Sequence, residues 1–162
     1  MLEEGNALYR HNQYKEASTT YRHALDKLTE IDDDNSDNDD EVALLCLKRS
    51  LLLNLSRSER RQGSVCEAVE AATKVIEIVP DSTEALVTRA KAFKAGDMIK
   101  EAVEDYAEAL KTDPTNKPIY LEFLKLREEL KMLMKIQKNA FCVGSYDSIA
   151  YIDDTETNCS SV

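Results

Sequence analysis

Six aspartates fall in the nine positions from Asp32 to Asp40, and closely spaced carboxylates of this kind can wrap a hard cation such as calcium. The spacing does not fit. Counting from Asp32, the sixth position is Asp37, where the turn of a calcium loop needs glycine, and the twelfth is Ala43, where a bidentate glutamate would close the shell. The run is therefore read as a solvated, self-repelling loop over residues 31–42. Thiols and imidazoles offer no better ligand set. Cys46, Cys66, Cys142 and Cys159 stand far apart, with only His11 and His23 to join them, so no zinc spacing forms and the cysteines are read as reduced thiols. Neither histidine has a cysteine or serine beside it in a nucleophile context. Four glycines, none clustered, leave no phosphate-cradling GxGxxG or Walker loop. The expectation is a protein with no catalytic residues, no metal and no cofactor.

The formal charge of −10 is unevenly placed: residues 31–42 carry −7 and residues 142–162 carry −4, which leaves the remaining body near neutral at +1. With no tryptophan and no basic stretch interleaved with aromatics, the electrostatic term that drives nucleic-acid binding is missing. No run of 18 apolar residues and no basic-then-apolar leader occurs, so neither membrane insertion nor secretion is expected, and the location is expected to be cytoplasmic. A hydrophobic content of 43% over 162 residues supplies one core with appendages.

The elements that could position any binding residues come from an internal repeat. Cys66-Glu67-Ala68-Val69 and Pro80 recur 34 residues later as Lys100-Glu101-Ala102-Val103 and Pro114. Leu86, Ala90, Phe93, Ala102, Tyr106, Ala109 and Pro114 mark one copy. Leu52, Ser56, Gly63, Ala68 and Pro80 mark the copy before it, with Glu59 where an aromatic would recur, and Gly5, Leu8, Tyr14, Ala17, Tyr21 and Ala24 mark the first. From Ala17 to Ala68 is 51 residues, one period stretched by the acidic insertion. On these residues the chain resembles the tetratricopeptide repeat family, whose unit is a 34-residue helix-turn-helix. The resemblance implies an all-α, right-handed solenoid with repeats at about 1–30, 41–80 and 81–114. Small residues such as Ala90, Ala102 and Ala109 would let the paired helices approach. No fourth copy follows; residues 117–137, with Pro118 in the first turn and an apolar stripe of Tyr120, Phe123, Leu126, Leu130 and Leu133, read as a capping helix that completes a domain at 1–137. Residues 138–162 read as a flexible acidic tail.

What the resemblance implies about function is a concave groove, lined by the first helix of each repeat, that takes up a peptide or helix of a protein partner. One subfamily of co-chaperones grips the terminal carboxylate of heat-shock chaperones with two lysines, two asparagines and an arginine. Matched position by position, Asn6 and Asn54 keep the asparagines, whereas Leu2, Glu84 and Thr88 replace the lysines and the arginine. Co-chaperone binding through this degenerate clamp is thus the alternative, and a partner-binding adaptor or scaffold the first expectation. Arg10, Arg57, Arg61, Lys91 and Lys94 fall near the lost clamp, and two readings stay open for them: a stripe that receives an acidic peptide, or ordinary solubilising side chains.

Three segments, Leu51–Arg61, Ala71–Pro80 and Glu84–Ala92, are similar to the tetratricopeptide segment of the rolling pebbles and TANC scaffold proteins, which would make the chain part of an adaptor. The C-terminus, with Ser160 two residues before Val162, matches the pattern that PDZ domains accept as an added strand. The tail's Asp147, Asp153, Asp154 and Glu156 could also compete for the basic groove.

Overall fold

The computed structural model describes the backbone of residues 1–32 and 38–146, and the side chains of residues 1–30 and 41–139. Among the described residues seven helices follow in order: α1 (Leu2–Arg10), α2 (Tyr14–Asp32), α3 (Asn38–Gln62), α4 (Val65–Ile78), α5 (Thr83–Ala95), α6 (Ile99–Thr112) and α7 (Lys117–Tyr146). They form three helix hairpins, α1–α2, α3–α4 and α5–α6, with α7 laid against α6.

Each hairpin is closed by the same device. Asn12 (φ 62°), Gly63 (φ 88°) and Asp97 (φ 58°) occupy the left-handed region, at the 51- and 34-residue spacings of the repeat. Glycine meets this conformation without cost, and Asn and Asp are the side chains that best tolerate it. One residue on, the amides of Gln13, Ser64 and Met98 donate back to the carbonyls of Leu8, Glu59 and Phe93, each at 3.0 Å. This six-to-one bond satisfies an otherwise orphaned helix-end carbonyl and turns the chain back on itself.

Small residues set the helix spacing. Ala17, Ala68, Ala90, Ala102 and Ala109 are all completely buried. Gly5 does the same for the first hairpin, where a methyl group would overlap the Tyr21 ring, and Ser56 for the second, where its hydroxyl donates to the Ala68 carbonyl at 2.6 Å. Among the described residues Tyr21 and Tyr106 are the largest fully buried side chains and anchor the end hairpins. The buried carboxylates Glu59 and Asp105 are paired across elements. Asp105 accepts from Arg89 Nε at 2.8 Å and Nη2 at 2.7 Å, while Arg89 also reaches Thr73 of α4 at 3.3 Å and lies 5.8 Å over the Phe93 ring. The Asp105 hydrogen bonds raise the Arg89 pKa further. Glu59, which breaks the aromatic pattern of the repeat, is buried and accepts from Ser18 and from Arg22 of the first hairpin, the latter at 2.6 Å.

The boundaries differ from the sequence reading in three places. Helix α2 continues to Asp32 and α3 begins at Asn38, so much of the expected loop over 31–42 is helical; the stretched period is taken up largely by lengthening two helices to 19 and 25 residues. Glu41 falls in the first turn of α3, where an acidic residue complements the helix dipole. Helix α7 extends to Tyr146, past the expected end at 137, because Lys138-Asn139-Ala140-Phe141 contains no helix breaker. Its packing face is also rotated: Ile119, Phe123, Leu126 and Leu130 join the apolar cluster around Tyr106, whereas Tyr120 and Leu133 are exposed. A spacing of four, three and four residues keeps the first set on one side, and Tyr120 lies a third of a turn away.

Candidate functional site

Residues of α1, α3, α5 and α7 line a groove of about 520 Å³. The repeat spacing builds its wall in columns. Asn6, Arg57 and Lys91 are equivalent positions of the three hairpins, and so are Tyr9, Arg60 and Lys94. Arg57, Arg60 and Lys91 line the groove together with Tyr9, Val87, Thr88 and Ile119, and Glu84 and Asp113 add acidic groups. Asn116 and Thr115 each hydrogen-bond the Asp113 carboxylate at 3.0 Å, and these bonds, that from Asn116 first, hold its pKa below the ordinary range.

A chain of side-chain hydrogen bonds links all three hairpins and reaches the groove at Arg57 and Glu84. The Tyr21 hydroxyl donates to Asn6 Oδ1 at 2.7 Å, and Asn54 Nδ2 donates to the same oxygen at 2.9 Å. Arg57 Nη1 donates to Asn54 Oδ1 at 3.1 Å, and Arg57 Nη2 meets Glu84 Oε1 at 2.6 Å. Burial raises the Tyr21 pKa, so the phenol stays a donor at the buried end of this chain.

The seven residues singled out from sequence are thus not equivalent. Asn6, Asn54 and Arg57 are brought into one network. Lys91 lines the groove and makes no ion pair among the described residues. Arg10 turns back to the Asn6 carbonyl of its own helix at 3.3 Å. The neighbouring Tyr9 hydroxyl raises the Arg61 pKa. Lys94 is drawn to Glu122 of the capping helix at 3.0 Å, and with Lys125 it lowers the Glu122 pKa. Arg60 lines the groove and was missed in the sequence; its register with Tyr9 and Lys94 is the signal that finds it. Of the clamp positions, Leu2 packs on the apolar cluster around Tyr21, Thr88 is buried, and Glu84 is already paired. Ser160, Val162 and the acidic tail residues from Asp147 onward lie outside the described residues.

Among the described residues no cluster of three metal-ligating side chains occurs, and no helix is long and apolar enough to cross a membrane. Cys46 and Cys66 are exposed free thiols.

No family model matches the chain. The DnaJ homolog subfamily C member 7 homolog of Schizosaccharomyces pombe is 33% identical over 129 residues, covering 79% of this chain and 24% of that protein. The chain therefore spans about a quarter of the length of this relative. The C-terminal TPR-containing domain of a Plasmodium falciparum FK506-binding protein is 26% identical with a TM-score of 0.70, covering 83% of this chain and 88% of that one. The first TPR domain of Spaghetti, solved with the HSP90 peptide SRMEEVD, matches with a TM-score of 0.63 at 22% identity, covering 80% and 89% respectively. Neither these proteins nor the repeat spacing bears on the narrower likeness to rolling pebbles and TANC. The periodic turns, the buried small residues and these likenesses agree on one conclusion: the chain belongs to the tetratricopeptide repeat superfamily of protein-interaction solenoids.

Proposed function

We propose that this chain is a non-catalytic adaptor whose groove receives an acidic peptide segment of a protein partner. The observation that carries the reading is the placement of Arg60 and Lys91 on the groove wall without an ion pair among the described residues, in a body whose own acidic excess lies in appendages. Cations held beside Val87, Ile119 and Tyr9 combine charge steering with apolar area, which is the composition of a peptide site. A neighbour of the same fold, solved with the peptide SRMEEVD, supports the peptide class of ligand. A partner of the adaptor kind suits the narrower likeness to rolling pebbles and TANC scaffolds. Screening an array of acidic peptides against the chain and its Lys91→Glu variant tests the proposal: binders of the parent should be lost by the variant, and an array that does not distinguish them contradicts it.

The second reading, a co-chaperone, is favoured by the DnaJ homolog and the HSP90-peptide neighbour. Three of the five clamp positions here supply no charged donor, since Leu2 is apolar, Thr88 offers only a hydroxyl and Glu84 is an acid. Charge-assisted bonds give such a site its affinity. A peptide ending in Glu-Glu-Val-Asp is therefore expected to bind no tighter than about 1 mM, or about −4 kcal/mol; a micromolar constant by calorimetry would promote this reading.

A further inference from the structure

The groove is polar along its length. Glu84 sits in the first turn of α5, and Lys91 lies seven residues further, about 10 Å along the helix at 1.5 Å per residue. Asp113 follows the C-terminal end of α6, the end that an antiparallel hairpin sets beside the start of α5, so both groove acids lie at one end. Arg60 and Lys91 lie toward the other.

Arg57 spans the two ends. Its Nη2 rests on Glu84 at 2.6 Å, and the two side chains are 38% and 56% exposed. Exposed pairs of this kind contribute little, so a guest can exchange them. A purely acidic guest that draws Arg57 away leaves Glu84 facing a like charge. A guest cation instead takes the place of Arg57 on Glu84, and the released guanidinium joins Arg60 and Lys91 on the acidic part of the same guest.

We infer that the groove selects a peptide of mixed charge, with a Lys or Arg set against Glu84 and acidic side chains about three residues away set against Arg60 and Lys91. An extended chain advances about 3.3 Å per residue, so three residues cover the separation of the two ends. The inference rests on the groove being the partner site proposed above, and makes Glu84 its specificity-determining residue.

The test uses the whole chain and amidated, fluorescein-labelled peptides carrying the core Lys-Ala-Ala-Glu-Glu or Ala-Ala-Ala-Glu-Glu, each also in reversed order, read by anisotropy at low salt. In one orientation the lysine peptide should bind about three- to fivefold tighter, the ceiling set by an exposed ion pair. Glu84→Gln should abolish the difference, and Glu84→Lys should reverse it, with circular dichroism confirming that both variants fold. Equal binding of lysine and alanine peptides in both orientations overturns the inference alone, as does a lysine preference that survives Glu84→Gln. Absence of binding by every peptide overturns the groove reading and the inference with it.

Discussion

The side-chain amide of Asn54 donates to the side-chain oxygen of Asn6 at 2.9 Å, joining residues 48 positions apart on the first helices of two hairpins. The same oxygen accepts from the Tyr21 hydroxyl, and Asn54 in turn accepts from Arg57. The two asparagines therefore tie the first two hairpins together, and Asn54 holds one nitrogen of Arg57 while the other rests on Glu84.

Replacing either asparagine should cost stability unequally. Asn54→Ala removes two partly exposed bonds and should cost about 1 to 2 kcal/mol. Asn6→Ala also strips the partner from the Tyr21 hydroxyl, on a ring that is 1% exposed, and should cost about 2 to 3 kcal/mol. Urea denaturation of both variants checks the order; a milder effect for Asn6→Ala would mean that the tyrosine is satisfied some other way.

Close helix approach makes the small positions intolerant of volume. Ala102 is completely buried between α5 and α6, and Ala102→Leu should cost about 1 to 3 kcal/mol or more through overpacking. Gly5→Ala should be destabilising despite the better helix propensity of alanine, because the added methyl meets Tyr21. Thermal melts followed by circular dichroism decide both; an unchanged midpoint for Ala102→Leu would contradict the packing.

The Arg89 side chain ties α5 to α6 and touches α4. Arg89→Ala leaves Asp105, with 8% of its side chain exposed, without its bidentate partner, and about 2 to 3 kcal/mol should be lost. Arg89→Lys keeps the charge but cannot reproduce the fork, so it should recover only part of that loss. Equal stability of Arg89→Lys and the parent would show that geometry is unimportant there.

Stability should fall in alkaline solution for a specific reason. Burial pushes the Tyr106 phenol up to about 12 from 10.0. The unfolded chain then releases this proton first, so stability is intact below pH 10.0 and declines as pH rises toward about 12, by at most about 1.4 kcal/mol per pH unit for one group. Denaturant titrations at stepped pH should show a shallower decline in Tyr106→Phe. An identical slope in the two proteins would rule the assignment out.

Turn and core positions were legible in the sequence because they are local and periodic. Gly63 sits where the left-handed turn residue must be, and Ala68, Ala90, Ala102 and Ala109 are completely buried. The groove was legible in part. The column of equivalent positions Asn6, Arg57 and Lys91 brings Arg57 and Lys91 to the groove, but which cation is free depends on partners the period does not encode. Arg57 meets Glu84 across 27 residues, Arg22 meets Glu59 across 37, and Lys94 meets Glu122 across 28. Such pairings follow from superhelical stacking and side-chain reach. The rotated face of α7 has a different origin: Ile119 and Tyr120 are both apolar enough to pack, and the surface of α6 decides between them.

The central claim is that partner segments bind in the groove, and backbone amide chemical-shift mapping with an acidic peptide tests it most directly. The account predicts saturable shifts concentrated at Arg60, Val87, Lys91 and Asn116, lost in Lys91→Glu. Shifts confined instead to the outer helices α2, α4 and α6, or to the exposed Met132, Leu133, Met134 and Ile136 of α7, would contradict it.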